Sequence, residues 1–590
     1  MQGAAGEVSA GTPGMMTLVT LAITVAFGYS VATQFALPGV PLYWELATLV
    51  DVMLLGHWLE VRAVGRASGA LAELASLLPN TAERIRDGGT ETVPLEELRV
   101  GDIVLARPGG RIPADGEVVQ GESHVDESMV TGESAPVRKK AGSTVVGGTV
   151  TLDGALRVRV SRVGADTTLA RIMRLVEQAQ RSRSRAQAVA DRAAFWLTIA
   201  AILAGMVTIL AWLLAEAGVP FALERTVTVL VIACPHALGL AIPLVVTIST
   251  TLAARNGLLV RDRLALEQAR ALDVVVFDKT GTLTRGEQGL AGVETEPGLS
   301  GTEALALAAA VEADSEHVIA RAIRDGASKI GVEAPRAEGF RALPGRGARA
   351  RVHGRELMVG GPGLLSGLGL EPLAPIREAA ARWEDEGKAV VYLVEEGRVR
   401  AAFALSDVVR PESRDAVARL KRLVPRVVML TGDSEAVARS VARELGIDEY
   451  HAELLPEQKA EVVAGLKRQG ARVAMVGDGI NDAPALVTAD VGIAIGAGTN
   501  VAIESAGIIL VRSDPRDVPR IVELSRASYR KMVQNLVWAT GYNVVAIPLA
   551  AGALAPLGVF LAPPVGALLM SASTVIVALN AQLLKRLRLD

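Results

Sequence analysis

Three aspartates stand at or just beyond the ends of apolar runs, beside turns that contain glycine or threonine. Asp278 ends "VVVFD", Asp433 ends "RVVMLTGD" and Asp478 lies in "RVAMVGDG". Such runs are typical of buried parallel strands, and helices between them predict a doubly wound α/β sheet. The carboxyl ends of its strands would bring the aspartates to one edge, where carboxylates suit Mg²⁺ and backbone N–H groups suit phosphate.

Two lysines accompany these aspartates. Lys279 directly follows Asp278, and Lys459 precedes the run that leads to Asp478. A single aspartate after a strand is also common as a turn or capping residue. Three aspartates together with two lysines that can balance phosphate charge favour a Mg²⁺ and phosphate site instead.

A second candidate site lies in a long apolar stretch. The run from Thr226 to Ala254 has no charged residue, yet it contains Cys234, Pro235 and His236. Proline has no N–H for the preceding helical turn, so we expect the helix to open there. On a regular helix, two residues that are two positions apart point about 200° away from each other. Unwinding around Pro235 would let the thiol and the imidazole bind one ion; the alternative is that Cys234 is an inert buried thiol.

Composition describes a membrane protein with large soluble parts. Half of the 590 residues are hydrophobic, and 61 basic and 64 acidic residues leave a net charge of only −3, which suggests no nucleic-acid partner. One cysteine excludes an internal disulfide, and six histidines exclude a histidine-rich metal-binding tail.

Charge-free apolar runs predict six membrane spans. They are Met16–Leu37, Leu42–Val61, Ala194–Ala217, Thr226–Thr250, Val533–Ala553 and Val559–Leu584. The connections at 38–41, 218–225 and 554–558 are short, whereas 62–193 and 251–532 are rich in Arg and Lys. By the positive-inside rule, both long inserts face the cytoplasm. Alternating Val, Thr and polar residues predict β-strands in the first insert, followed by a helix over 167–192.

The motif "DKTGTLT" (278–284) resembles the phosphorylation motif of P-type ATPases. "TGES" (131–134), "TGD" (431–433) and "GDGINDAPAL" (477–486) accompany it in the order of that family. The resemblance covers nearly the whole chain. It implies an α-helical transmembrane bundle, a β-rich actuator domain, an α/β haloacid-dehalogenase-like phosphorylation domain and an α/β nucleotide-binding domain.

The same resemblance implies the roles of the site residues. Asp278 would attack the γ-phosphate of ATP, and Glu133 would position the water that hydrolyses the aspartyl-phosphate. Mg²⁺ would be held by Asp278, the main chain of Thr280 and Asp478. The residues implied to hold the phosphoryl group or to support this arrangement are Lys279, Thr431, Asp433, Lys459 and Asp482.

A segment at about 288–403 is similar to the nucleotide-binding domain of the heavy-metal branch. Its motifs are "VEADSEHVIARAI" (311–323) and "LPGRGARA" (343–350). Glu312 and His317 would contact adenine, and Gly345 and Gly347 would let the backbone approach ATP. The chain departs from the family in two places, with Val318 where proline usually follows the histidine and Gly361 where asparagine is frequent.

Cys-Pro in this helix marks the heavy-metal transporters of the family, and Cys-Pro-His resembles its copper-type subgroup. The implied ligands of the transported ion, or groups beside them, are Cys234, His236, Met570, Tyr542, Asn543 and Ser573. Thiol, imidazole and thioether groups suit Cu⁺, Cu²⁺ or Ag⁺. Cys and His also suit Zn²⁺, which therefore stays open.

Other residues match positions on the ion's path. Met15, Glu60 and Asp191 match an uptake relay at the cytoplasmic face, where a metal donor is a candidate partner. Simple interfacial solvation is the alternative for all three. Glu45 matches an exit carboxylate, and Asp51 lies close to it in the same span. The family usually has two more helices and a soluble metal-binding domain before this point, so we expect six spans and a shortened N-terminal region.

These patterns predict a multi-pass protein of a prokaryotic cell membrane, with ATP and Mg²⁺ as cofactors. A membrane-tethered phosphohydrolase that does not transport is the alternative from another class. The predicted domains are 1–66 (transmembrane hairpin), 67–190 (actuator), 191–255 (hairpin with the Cys-Pro-His site), 256–287 with 404–530 (phosphorylation), 288–403 (nucleotide binding) and 531–590 (transmembrane hairpin).

Overall fold

The fold is taken from a computed structural model, and its contacts divide the chain into two compact units. One unit contains residues 1–270 and 520–590, and the other contains residues 271–519. The structure describes residues 2–11, 13–35, single positions between 41 and 58, residue 79, and 81–86, 89–127, 136–170, 173–174, 185–234, 236–315, 317–343, 345–478, 481–496 and 504–589.

The first unit contains the apolar helices. Their bounds, with a short N-terminal helix, are Gln2–Ser9, Met15–Phe35, Arg185–Leu214, Val219–Ile232, His236–Ala241, Pro243–Arg255, Asp517–Ala551 and Pro563–Gln582. Within the described residues, four stretches are long and apolar enough to cross a membrane: Met16–Phe35, Gln187–Leu214, Val219–Arg255 and Val565–Arg586. These agree with the first, third, fourth and sixth predicted spans.

The other two predicted spans are not among these four. Leu42–Val61 lies mostly outside the described residues. Val533–Ala553 falls within the long helix Asp517–Ala551, apart from its last two residues. The count of six therefore stays a prediction. The predicted connection 218–225 is wrong in its bounds, because the next helix already begins at Val219 and includes Arg225.

The first insert is β-rich, as predicted. One antiparallel sheet has the strand order Gly89–Pro94, Thr81–Arg86, Ile103–Ala106, Leu156–Arg162, Asp115–Gln120 and Thr144–Val145, and a smaller one has Val137–Lys139, Ser123–Asp126 and Val150–Thr151. Leu156, Val158 and Val160 are buried while the residues between them are exposed, which is the period-2 pattern of a half-buried strand. Most of the helix predicted over 167–192 lies outside the described residues, although Arg185–Leu214 covers its end.

The second unit contains a parallel sheet of the predicted doubly wound type. In that unit the strand order is Ile508–Leu510, Val491–Ile495, Val473–Gly477, Val274–Asp278, Arg426–Leu430 and Glu449–His451. The helices that accompany it are Pro411–Leu423, Glu435–Leu445, Pro456–Arg468 and Ala483–Thr488. The strand that ends at Asp278 pairs in parallel with both of its neighbours, so the three predicted aspartate turns share one edge.

An antiparallel sheet makes up the rest of the second unit. Its strand order is Thr284–Thr295, Arg398–Val409, Ala389–Glu395, Arg355–Gly360, Gly347–Val352 and Ala337–Leu343. Its helices are Gly301–Val311, Val318–Lys329, Pro362–Leu368 and Ala374–Asp385. Residues Ala304, Ala308 and Ile323 of the first two helices pack on the sheet around Phe403 and form the core of this part.

Candidate active site and metal centre

Asp278 is buried, and its strand lies between the two strands that lead to Asp433 and Asp478. Lys459 Nζ donates to Asp278 Oδ1 at 2.5 Å and to Asp482 Oδ1 at 2.8 Å. Lys459 reaches this point from the helix Pro456–Arg468, which begins with a proline whose missing N–H costs nothing at that position. One ammonium group therefore joins two of the predicted carboxylates.

The charges of this cluster are strongly coupled. Burial, reinforced by the Asp482 carboxylate, raises the pKa of Asp278 against the opposing effect of Lys459. Burial alone would lower the pKa of Lys459, but the carboxylates of Asp278 and Asp482 outweigh it and raise that pKa. Asp478 also adds negative charge to the cluster. Three carboxylates against one ammonium group favour the arrival of a cation.

A second lysine bridge lies beside the first. Lys279 Nζ lies 2.5 Å from Asp407 Oδ2 and 2.8 Å from Asp433 Oδ2. Thr431 Oγ1 donates to Asp433 Oδ2 at 2.9 Å and accepts from the Asp433 N–H at 3.1 Å. The predicted residues Lys279, Thr431 and Asp433 are thus brought together. Glu133, with the whole "TGES" motif, lies outside the described residues.

Close backbone approaches shape the loop that follows Asp278. Gly281 has φ +75°, and a Cβ added to it would lie 3.0 Å from Asp478 Oδ2. Gly281 is therefore needed both for its left-handed backbone and for its small size. Asp278, Asp478 and the main chain at Thr280 offer only oxygen atoms, which is the donor set that Mg²⁺ prefers, so the residues fit this cation.

The four residues predicted to bind the nucleotide line one cavity of about 480 Å³. These residues are Glu312, His317, Gly345 and Gly347. A Cβ added to Gly347 would lie 2.0 Å from the carbonyl oxygen of Val359, so no larger residue fits there. Gly361, where the family often has asparagine, also lines this cavity. Burial raises the pKa of Glu312.

The loop that presents Glu312 and His317 is held by an arginine. Arg324 Nη1 donates to the carbonyl oxygens of Glu312, of Ala313 at 3.3 Å and of Ser315 at 2.6 Å. His317 caps the helix Val318–Lys329, since its Nδ1 accepts from the N–H of Ile319 at 3.3 Å. The loop is thus fixed by side chains although Val318 replaces the usual proline.

In the membrane unit, the helix Val219–Ile232 ends just before Cys234. Cys234 is buried, and its N–H donates to the carbonyl oxygen of Val231 at 3.2 Å, a tighter turn than the α-helical one. A new helix begins at His236. The predicted break at the Cys-Pro-His motif is confirmed, while the side chain of His236 lies outside the described residues.

Three predicted polar residues near this break have atoms without a hydrogen-bond partner. Among the described residues, nothing bonds to Tyr542 Oη, Asn543 Oδ1 or Ser573 Oγ, although all three atoms are buried. Tyr542 packs against a buried cluster that includes Val229 and Ile232, on the helix that leads to Cys234. Met570 is buried as well. An unpaired polar atom is costly in a membrane interior, so these atoms are suited to an ion.

Comparison with known proteins identifies the family. The model of the P-type ATPase actuator domain matches residues 76–177, and that of the haloacid dehalogenase-like hydrolases matches residues 272–490. The "Copper-exporting P-type ATPase B" of Archaeoglobus fulgidus is 53% identical over 585 residues, which cover 99% of this chain and 84% of that protein. This chain belongs to the P-type ATPases.

Other proteins are also similar to this P-type ATPase over nearly its whole length. The "Copper-exporting P-type ATPase B" of Enterococcus hirae is 45% identical over 593 residues, which cover 99% of this chain and 79% of that protein. A crystal structure of a zinc-transporting PIB-type ATPase in the E2.Pi state has a TM-score of 0.64 and 34% identity, and the match covers 99% of this chain and 92% of that chain. The predicted family, the multidomain membrane fold and an ATP-hydrolysing, ion-translocating activity are confirmed.

Sequence reasoning missed two residues that shape the candidate active site of this P-type ATPase. Asp407 pairs with Lys279 and also accepts from Thr284 Oγ1 at 2.7 Å. Arg410 donates to the carbonyl oxygens of Gly281 and Thr284, both at 3.0 Å, and so holds the loop after Asp278. Asp407 lies near the end of the strand Arg398–Val409 and Arg410 follows that strand, and no glycine-rich turn marked either residue in the sequence.

The residues predicted for the ion's path are only partly visible. Asp191 and Asp51 are exposed. Glu45, Glu60 and the side chain of Met15 lie outside the described residues. Across the part of the chain that the structure describes, no three His, Cys, Asp or Glu side chains form a ready-made metal site. The Mg²⁺ site would need only two carboxylates with a main-chain oxygen, and the membrane site would combine different donor types.

Proposed function

We propose that this P-type ATPase exports copper-like ions through an aspartyl-phosphate intermediate. The observation that carries the choice of ion is the membrane unit, where the Cys234 thiol and the Met570 thioether are both buried. The predicted residues Tyr542, Asn543 and Ser573 add buried polar atoms to which nothing bonds within the described residues. Sulfur ligands favour soft ions such as Cu⁺ and Ag⁺. The copper-exporting names of the relatives point the same way.

The phosphorylation step uses the lysine-bridged aspartates. A carboxylate oxygen of Asp278 attacks the γ-phosphorus of ATP, the bond to the β-phosphate oxygen breaks, and ADP leaves. Lys459 already donates a hydrogen bond to Asp278 and can redirect it to an oxygen of the transferred phosphoryl group. Thr431 and Lys279 lie beside the same edge. Asp278, Asp478 and the main chain of Thr280 would hold Mg²⁺, which when bound neutralises phosphate charge.

Hydrolysis then releases phosphate and restores the Asp278 carboxylate. We assign the positioning of the attacking water to Glu133. Glu133→Gln should let phosphoenzyme accumulate and lower turnover by about a hundredfold, the scale at which a general base contributes. Acid-stable labelling from ³²P-ATP, followed by a chase with unlabelled ATP, would measure both effects. Rapid loss of the label in the variant would contradict the role.

The nucleotide cavity is assigned to the adenine and ribose end of ATP. Glu312 and His317 supply polar contacts to the base, and Gly345 and Gly347 allow the backbone to approach it. The raised pKa of Glu312 supports contact with an uncharged base, since its burial disfavours the carboxylate. We assign 256–287 with 404–530 to the phosphorylation domain and 288–403 to the nucleotide-binding domain. The actuator domain is assigned to 67–190, and the membrane hairpins are assigned to 1–66, 191–255 and 531–590.

Arg324→Ala tests the loop of this cavity. Loss of three bonds to main-chain carbonyls should loosen Glu312 and raise the KM for ATP about tenfold, with kcat nearly unchanged. Phosphorylation by inorganic phosphate, which needs no nucleotide, should stay at the wild-type level. Arg321→Ala is the matched control, since Arg321 is exposed on the same helix. An unchanged KM in Arg324→Ala would contradict the assignment.

The proposed ion is tested by ATPase activity of the purified protein with Cu⁺, Cu²⁺, Ag⁺ and Zn²⁺. We expect stimulation by copper and silver, with little effect of zinc. Strong stimulation by zinc alone would favour the second candidate, a zinc pump, which the similarity to solved zinc-transporting structures keeps in view. ATP hydrolysis that no metal affects would instead favour a phosphohydrolase.

We also propose that a cytoplasmic donor delivers the metal ion to exposed residues such as Asp191.

A further inference from the structure

One charged residue is buried among the membrane helices. Arg225 is 1% exposed and lies two turns after the start of the helix Val219–Ile232. Nothing in the phosphorylation chemistry or in the proposed metal ligands uses it. A buried charge in a membrane segment is costly unless it is paired, and it is a functional candidate for that reason.

The contacts of Arg225 join two helices. Its Nη1 donates to the carbonyl oxygen of Leu561 at 2.6 Å, just before the helix Pro563–Gln582 begins. Its guanidinium also pairs with Glu224 and lies 5.5 Å from the ring centroid of Phe221 and 5.8 Å from that of Phe560. The two rings meet edge to face at 5.3 Å. The charge is therefore compensated by groups on both segments.

Arg225 and Leu561 are separated along the chain by the same number of residues as two of the proposed metal ligands. Arg225 and Leu561 are 336 residues apart, and the same separation relates Cys234 to Met570. Both candidate ligands thus come nine residues after the joined pair, about 13 Å further on if the rise is helical.

Contacts between the two points keep the same register. A Cβ added to Gly566 would lie 3.6 Å from Thr228 Cγ2 and from Ile232 Cδ1, on either side of residue 230. Ala567 packs in one buried cluster with Leu230, Val231 and Ala233. The two segments therefore run side by side without a slip from Arg225 to the break at Cys234.

We propose that Arg225 is a positioning residue for the transported ion, through its bond to the Leu561 carbonyl. The bond fixes the helix that leads to Cys234 against the helix that carries Met570 and Ser573. One residue of slip along a helix is about 1.5 Å, whereas metal–ligand distances tolerate only about 0.2 Å. A fixed register is therefore a condition for both sulfur atoms to reach one ion. This inference rests on the proposed function.

Arg225→Met removes the donor but keeps an apolar chain of similar length. We expect the Cu⁺ concentration for half-maximal ATPase stimulation to rise about tenfold or more. A hydrogen bond from a charged donor contributes enough free energy to change a binding constant by that factor. The KM for ATP and phosphorylation by inorganic phosphate should not change. Arg225→Lys, which keeps a donor, should recover part of the Cu⁺ sensitivity and also serves if the Met variant does not fold.

Trp212→Phe is the matched control. Trp212 Nε1 donates to the carbonyl oxygen of Ala551 at 2.8 Å at the same end of the bundle, but its own helix carries none of the residues proposed for the membrane site. The Trp212→Phe variant should lose stability, but its Cu⁺ concentration for half-maximal stimulation should not shift. An unshifted response in Arg225→Met and Arg225→Lys, or a shift equal to that of Trp212→Phe, would overturn the inference. A wild-type protein that no metal stimulates would instead refute the proposed function.

Discussion

Asp278→Asn is expected to abolish phosphoenzyme formation from ATP and to lower turnover by roughly 10⁴-fold or more, the scale seen when a covalent nucleophile is lost. An amide nitrogen or oxygen cannot replace the carboxylate that attacks phosphorus. The change keeps the size of the side chain, and Lys459 still has Asp482 as its partner at 2.8 Å. We therefore expect the fold and ATP binding to survive.

The measurement is acid-stable ³²P labelling beside ATP binding in the same preparation. Asp448→Asn is the matched control, because its carboxylate belongs to the same unit but is 86% exposed and pairs with Lys421 at the surface. The control should label like the wild type. Persistent labelling of Asp278→Asn would show that another residue accepts the phosphoryl group.

Cys234→Ala should lower metal-stimulated turnover by about a hundredfold, since a sulfur ligand to a soft ion has no substitute in the alanine variant. His236→Ala should also lose metal-stimulated turnover. With Cu⁺ and Ag⁺, the loss should be greater in Cys234→Ala than in His236→Ala. His236→Cys should shift the preference toward Cu⁺ over Cu²⁺ without inactivating the protein. The affinity for ATP should not change, because no residue of the nucleotide cavity is altered.

Metal-stimulated turnover and ATP affinity should be measured on the same preparations. Thr208→Val is the control, because the Thr208 hydroxyl donates to the carbonyl oxygen of Ala204 one turn earlier, and their helix carries none of the residues proposed for the membrane site. Full metal stimulation of the Cys234→Ala, His236→Ala double variant would mean that this stretch is a kinked packing helix.

The sequence was sufficient for features that depend on local patterns. Apolar runs predicted the strands ending near Asp278, Asp433 and Asp478, because a buried parallel strand needs a continuous apolar segment. Pro235 predicted the helix break, because a proline lacks the N–H for the helical hydrogen bond in any context. The glycines of the nucleotide cavity were predicted from a family motif. Steric contacts explain Gly347, and a left-handed backbone with φ +70° explains Gly345.

Features that depend on distant partners could not be predicted. Asp407 contacts Lys279 across 128 residues, and Arg225 contacts Leu561 across 336. Charge made 218–225 look like a connection, because an arginine and a glutamate rarely enter a membrane helix. The prediction was wrong because Arg225 is compensated within the bundle. Glu224 and Phe221 are its neighbours on the same helix, but the carbonyl oxygen of Leu561 and the ring of Phe560 come from a segment that the local sequence does not reveal.

The most direct test of ATP-driven export is metal uptake by sealed vesicles that contain the purified protein with its cytoplasmic side outward. With ATP outside, the wild type should accumulate Cu⁺ against a gradient, and Asp278→Asn and Cys234→Ala should each prevent it. The two variants should differ in labelling, since only Asp278→Asn also removes the site of phosphorylation. ATP hydrolysis by the wild type without any accumulation of Cu⁺, Ag⁺ or Zn²⁺ would contradict the account.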